Sequence, residues 1–346
     1  MAKIIKPHLE LMRIAACFFV IYHHSYIYPE TPASIAQISF SLFGAVFCCF
    51  SVGLFFMISG ALLLEKEESF KRLWKDKILK TLAILIIFSF IYYMRLVLLY
   101  NREFDIIDFF KNLYSTNWNY SYWYLYAYIG YLICLPILRK VAKCLEPVHY
   151  IYIFTISISV IGIIPSLEWF LLDKKFTINS NLVNSFFRTQ AIVYPLLGYY
   201  METQVDRSCI RKILPIAWVT NIICILITCH MTYGHFLKTG KFTSHFYMSF
   251  VIINCVTIYL TFKYYFGIIG SAKFTKIICS IGGATLGIYL LHLLLKEHLY
   301  FILDYFRITL KMNNIISVLI FDSIIFISCY IITILLKRIP GISKII

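Results

Sequence analysis

Long apolar stretches dominate this sequence and constrain its fold more than any other feature. A helix needs about 20 mostly apolar residues to cross the roughly 30 Å hydrocarbon core of a bilayer. Stretches of about that length occupy residues 9–28, 38–64, 78–100, 122–138, 148–165, 183–201, 213–230, 245–262, 277–295 and 315–336. Only 14% of the residues are charged, against about a quarter in a soluble domain. The sequence therefore predicts an all-α, polytopic transmembrane helix bundle of about ten helices.

The distribution of Lys and Arg predicts the orientation of the chain. With a cytoplasmic N-terminus, the inside segments hold 20 of these cations and the outside loops, the last of which begins at Lys296, hold 9. Cytoplasmic segments of membrane proteins carry such an excess. Both termini are therefore expected in the cytoplasm. Topology and anionic lipid headgroups explain the net charge of +15, so membrane lipid is an expected partner and nucleic acid is not.

Two of the apolar stretches call for a more specific expectation. The first follows Lys3 and Lys6, as the core of a signal peptide would, but it lacks a small-residue cleavage site and is expected to remain as a helix. The 38–64 stretch is long enough to tilt, bend or break.

No soluble domain interrupts the series, so residues 1–346 are expected to form a single integral membrane domain. The 11 cysteines lack a CxxC pair and are expected to pack as small apolar side chains, without a metal.

The first stretch carries ionisable residues, which are functional candidates because an unpaired charge in a span costs several kcal/mol. Glu10 and Arg13 are three positions apart and are expected to pair. His24 follows eleven positions after Arg13, which places it on the same helix face, about 16 Å farther along the axis. His23 is turned away by about 80°. His24 is therefore the candidate proton acceptor, and an interfacial histidine is the alternative.

Other polar and small residues are candidates for packing or for binding. Five Lys and Arg residues lie between positions 70 and 80, on the predicted cytoplasmic side. The usual excess of Lys and Arg on the cytoplasmic side explains part of this density of cations, and binding of a polyanionic ligand such as a nucleotide phosphate is the other explanation. Gly53 and Gly60 share a helix face and favour close helix packing. Three more ionisable residues fall in spans, with partners that the sequence does not reveal: Arg188, His292 and Asp322.

Together these features resemble the acyltransferase 3 family of bacterial membrane O-acyltransferases. Four family motifs occur in order across nearly the whole chain. The matching positions are Glu10, Arg13 and His24; then Gly53, Phe55, Phe56, Ser59 and Gly60; then Trp123, Tyr124, Leu125, Tyr131 and Pro136; and finally Gly287, Tyr289, Leu290 and His292.

The sequence departs from the family pattern at two places. The family usually carries Arg-x-x-Arg at the start of the third helix, where this chain has Lys77 and Lys80, followed by Thr81. Lysine keeps the charge but lacks the planar fork that binds phosphate in a bidentate manner. Many members have a histidine two positions before the Trp, where this chain has Ser121. An extracytoplasmic SGNH-type domain, fused to some members, is not expected.

The resemblance implies transfer of an acyl group, usually acetyl, from cytosolic acyl-CoA to a hydroxyl of a cell-envelope polysaccharide or lipid-linked glycan, in the bacterial cytoplasmic membrane. In this interpretation acetyl-CoA is a co-substrate. His24 is a general base or a covalent acyl carrier. Arg13, held by Glu10, orients the donor or stabilises developing negative charge. The residues expected to bind the donor are Arg72, Lys77 and Lys80.

A transporter or flippase for an envelope glycan precursor is the alternative function. Its substrate path would be lined by the intramembrane residues Arg188, His292 and Asp322. No inverted repeat is visible in the sequence, which counts against this alternative.

Overall fold

The computed structural model describes residues 6–25, 35–172, 179, 185–240, 249–267 and 272–345, and every regular element in these ranges is a helix. Lys3 lies outside the described residues. Seven helices of the described part are long and apolar enough to cross a membrane, which confirms a polytopic helical membrane protein. These seven are Ser41–Leu63, Phe70–Leu99, Tyr120–Cys144, Pro147–Leu171, Arg207–Thr239, Lys273–Thr309 and Ile315–Leu336.

We number the main helices in chain order. They are α1 (Pro7–Ser25), α2 (Ile35–Cys48), α3 (Phe50–Leu63), α4 (Phe70–Leu99), α5 (Ile106–Ser115), α6 (Trp123–Cys144), α7 (Pro147–Leu171), α8 (Gln190–Thr203), α9 (Arg207–Thr239), α10 (Val251–Phe266), α11 (Ala272–Asp304) and α12 (Asn314–Leu336). The predicted 38–64 stretch is broken at Cys49, between α2 and α3. We call the end of the bundle where α1 begins the basal end, and the end where it stops, at Ser25, the apical end.

Helix α1 lies inside the bundle, packed against α3, α11 and α12. Its side chains Leu9, Met12, Ala16 and Ile21 are fully buried. Polar residues on this helix therefore face protein or an internal cavity rather than lipid. The placement explains how the first stretch can carry a glutamate, an arginine and two histidines without exposing them to hydrocarbon.

Glycines bring α3 and α8 into backbone contact. A methyl group added to Gly60 would overlap the main-chain carbonyl of Pro195, and one added to Gly198 would overlap that of Met57. A methyl group on Gly53 would lie 2.5 Å from the side chain of Tyr194. Small residues at a crossing let two backbones approach closely. The predicted packing role of Gly53 and Gly60 is confirmed.

The basal end of α1 is tied to α8 and α10 by a buried carboxylate. Glu202 pairs with Lys6 at 2.9 Å and contacts His8 Nε2 at 3.1 Å. It also accepts a hydrogen bond of 2.8 Å from the Tyr259 hydroxyl. Lys263 donates to three main-chain carbonyls at and just beyond the end of α8, which have no partner within the helix. These bonds fix where α1 starts, and so fix the height of the polar residues along it.

Candidate active site

A pair of charged residues on α1 lies at a cavity in the bundle, and one of the two, Arg13, lines it. Arg13 Nη1 donates to Glu10 Oε2 at 2.8 Å, which confirms the predicted pair. Arg13 borders a cavity of about 260 Å³ among α1, α3, α4, α6 and α11. We call it the central cavity and define it by Arg13, Ser59, Thr81, Tyr124, Gly283 and Tyr289.

A cluster of aromatic and imidazole rings surrounds His24 at the apical end. The His24 ring stacks on that of His292, with centroids 5.4 Å apart and planes at 29°. The edge of Tyr120 lies against His24 at 5.0 Å, and His23 lies at 5.8 Å. His292 is fully buried. The structure thus brings together the predicted His24 and a histidine whose partner the sequence did not reveal.

The hydrogen bond of His292 fixes which of its nitrogens carries the proton. Its Nδ1 lies 2.5 Å from the main-chain carbonyl of Tyr289. A carbonyl oxygen only accepts, so Nδ1 must be the donor, and in a neutral ring Nε2 then carries the lone pair. Nε2 is buried and has no hydrogen-bond partner in the described part of the protein. An oriented and unused proton acceptor therefore lies beside His24.

A lysine and an aspartate are buried next to the histidines. Lys296 lies in α11 one turn after His292 and is only 5% exposed. The prediction that an outer loop begins at Lys296 is wrong, because α11 continues to Asp304. Asp322 of α12 is fully buried and accepts a hydrogen bond from the Ser25 hydroxyl. These residues make the apical cluster strongly polar.

Tyr289 separates the central cavity from the histidine cluster. It lines the cavity, and its ring lies 5.8 Å from that of His292. Its hydroxyl donates to the main-chain carbonyl of Ser121, the position where many family members have a histidine. Arg13 and His24 share a face of α1 but lie about 16 Å apart along its axis.

Two of the predicted donor-binding cations already have partners at the basal end. Lys77 pairs with Glu68, which also accepts a 2.6 Å hydrogen bond from Arg139. Burial by itself raises the pKa of the Glu68 carboxyl, but the hydrogen bonds and positive charges of Lys77 and Arg139 bring it below its usual value. Arg72 is exposed and lies 3.4 Å from Asp76. Glu68 therefore offsets only part of the positive charge of Lys77 and Arg139, because one carboxylate faces two cations.

Lys80 is near enough to another cation, Lys337, for the two charges to interact, and Lys337 lies beside the central cavity. Lys337 donates a 2.7 Å hydrogen bond to the carbonyl of Gly283, which lines the cavity. Partial burial, and then the charge of Lys80, lower the pKa of Lys337. Two like charges in proximity favour an anion beside them. Sequence reasoning missed Lys337, because a lysine just beyond the last apolar stretch fits ordinary topology.

Residues 7–338 match the model of a family described as an acyltransferase domain, so the match covers nearly the whole chain. No curated protein and no solved structure matches it.

Proposed function

The chain belongs to the acyltransferase 3 family, and on this premise we propose that it transfers an acetyl group from cytosolic acetyl-CoA to a hydroxyl of a cell-envelope polysaccharide or lipid-linked glycan. One observation carries the proposal beyond family membership. The central cavity is lined by Gly283, whose carbonyl accepts a hydrogen bond from Lys337, and by Tyr289, whose ring lies 5.8 Å from that of His292. Such a cavity suits a donor with an anionic end and a reactive end.

We further propose that the bundle has about ten crossings, with both termini in the cytoplasm of a bacterial cell and the protein in its cytoplasmic membrane. The excess of Lys and Arg in alternate segments supports this orientation. The basal end would then face the cytoplasm, where CoA is found. The apical end, with His24, would face the outer leaflet, where an envelope glycan is accessible.

The phosphates of CoA would bind at the basal end. Lys80 and Lys337 offer two neighbouring charges, of which Lys337 lies beside the cavity, and the exposed Arg72 adds a third nearby in sequence. Lys77 contributes charge from its pair with Glu68 and holds the start of α4 in place. The pantetheine arm is long and slender, and it would enter the central cavity past Arg13.

The chemistry would take place at the histidine pair. The acceptor hydroxyl attacks the thioester carbonyl while His24 takes the hydroxyl proton. The new C–O bond forms, the C–S bond breaks, and the imidazolium of His24 returns the proton to the departing CoA thiolate. The ring of His292, stacked on that of His24, holds the base in its orientation. Arg13, steadied by Glu10, orients the donor in the cavity.

Two glycines test the role of the Glu10–Arg13 pair. A methyl group on Gly282 would overlap the Glu10 carboxylate, whereas one on Gly130, which lies in α6 and does not line the central cavity, would meet nothing within 4 Å. Gly282→Ala should therefore displace Glu10 and raise the KM for acetyl-CoA about tenfold, because one charge-assisted contact is lost. Gly130→Ala, the control, should change KM less than twofold. Equal effects of the two substitutions on KM would contradict the role given to the pair.

The proposed function is tested with purified protein in liposomes, radiolabelled acetyl-CoA and a fraction of envelope glycans. We expect release of CoA that depends on the glycan, together with transfer of label to it. Liposomes without the protein are the control. Movement of a glycan precursor across the membrane without any need for CoA would overturn the proposal and support a transporter. Label retained on His24 in the absence of acceptor would show a covalent acyl carrier in place of a general base.

A further inference from the structure

Attack on a thioester places negative charge on the carbonyl oxygen, and a catalyst needs a donor aimed at that oxygen. Arg13 is too distant to provide it beside His24, because eleven residues of helix separate the two by about 16 Å. We propose that Lys296 is this donor. The inference rests on the proposed acyl transfer and adds a catalytic residue to it.

Lys296 lies beside the histidine pair, next to the position that we propose for the reacting carbonyl. It follows His292 by four positions on α11, so the two side chains lie on one face of that helix. Its ammonium reaches across to α1 and donates a 3.4 Å hydrogen bond to the main-chain carbonyl of Ile21, three positions before His24. Its charge acts on the rings of His23, His24 and His292. The ammonium therefore lies between the two helices that carry the histidine pair.

The ammonium has hydrogen-bonding capacity to spare. A lysine carries three N–H donors, and within the described part of the protein one of them is used, in the long bond to Ile21. The side chain is 5% exposed, so it is shielded from bulk water. A shielded cation with free donors stabilises a developing oxyanion more strongly than the same cation does in water, because the local dielectric constant is low.

Asp322 supplies the counter-charge without blocking the ammonium. It is fully buried, accepts a hydrogen bond from the Ser25 hydroxyl, and lies close enough for its charge to act on Lys296. The two residues do not form a direct salt bridge, since their charged atoms lie more than 4.0 Å apart. A carboxylate at this distance offsets the cost of burying the ammonium, and it leaves the remaining donors open to a ligand.

Replacement of Lys296 tests the inference. Lys296→Met should lower kcat for acetyl transfer about 100- to 1000-fold, as loss of one oxyanion donor does, with KM for acetyl-CoA changed less than threefold. Lys296→Arg should recover part of the rate, because the charge and donors remain. Lys311→Met removes an exposed cation beyond the end of α11 and should leave kcat unchanged.

A double variant separates catalysis from charge balance. If Lys296 serves only to neutralise Asp322, then Lys296→Met with Asp322→Asn should restore both folding and kcat. If Lys296 stabilises the oxyanion, the double variant should recover the thermal midpoint of the wild type while kcat stays about 100-fold low or lower. Recovery of kcat would overturn the inference. The inference would also be overturned if Lys296→Met kept the wild-type kcat while His24→Ala was inactive. That result would not contradict the proposed acyl transfer.

Discussion

His24→Ala is expected to lower the rate of acyl transfer about a thousandfold, with the protein still folded. General-base catalysis contributes about 100- to 10,000-fold, and the His24 ring is the one that contacts both Tyr120 and His292 in the apical cluster. The measurement is kcat at saturating acetyl-CoA in liposomes, with the thermal midpoint recorded in detergent. KM for the donor should change little, because we propose that the donor phosphates bind at the basal end, away from His24.

His23→Ala is the matched control for this prediction. His23 is the neighbouring residue on α1, and its ring lies 5.8 Å from that of His24. One residue corresponds to about 100° of rotation, so the two side chains leave the helix in different directions. We expect His23→Ala to keep at least a third of the wild-type rate. Retention of activity in His24→Ala, or an equal loss in both variants, would refute the assignment of His24 as the base.

Helical periodicity was sufficient to predict the local part of the candidate site. Glu10, Arg13 and His24 lie on one helix, so their spacing determines which side chains share a face. The contact between His24 and His292 is a tertiary one, between α1 and α11, and local periodicity contains no information about it. The lone pair on His292 depends on a hydrogen bond to a carbonyl, which only coordinates reveal.

Hydropathy predicted the class of fold but misplaced charged residues at the helix ends. Lys296 looks like the start of a loop because an apolar stretch stops there, yet the helix continues and its neighbours bury the ammonium. A buried charge can be tolerated when a partner such as Asp322 is supplied by another helix. The sequence also did not predict that α1 lies inside the bundle, because apolar composition does not distinguish a lipid-facing helix from one enclosed by protein.

Gly60→Ala is expected to cause a large loss of stability at the crossing of α3 and α8. The added methyl group would overlap the main-chain carbonyl of Pro195, which no change of rotamer can move aside. Overpacking costs about 1–3 kcal/mol, and a backbone overlap belongs at the upper end of that range. Alanine regains about 1 kcal/mol of helix propensity over glycine. We therefore expect a net loss of about 2 kcal/mol, measured as a lower thermal midpoint in detergent.

Gly198→Ala tests the same crossing from the other helix, because its methyl group would overlap the carbonyl of Met57. Each single variant should be destabilised, and the combination of Gly60→Ala with Gly198→Ala should yield little folded protein, since both overlaps force the same two helices apart. Gly130→Ala in α6 is the matched control. Its methyl group meets nothing within 4 Å, so helix propensity alone acts and the thermal midpoint should stay level or rise. A similar response of Gly60→Ala and Gly130→Ala would mean that α3 and α8 do not pack through their backbones.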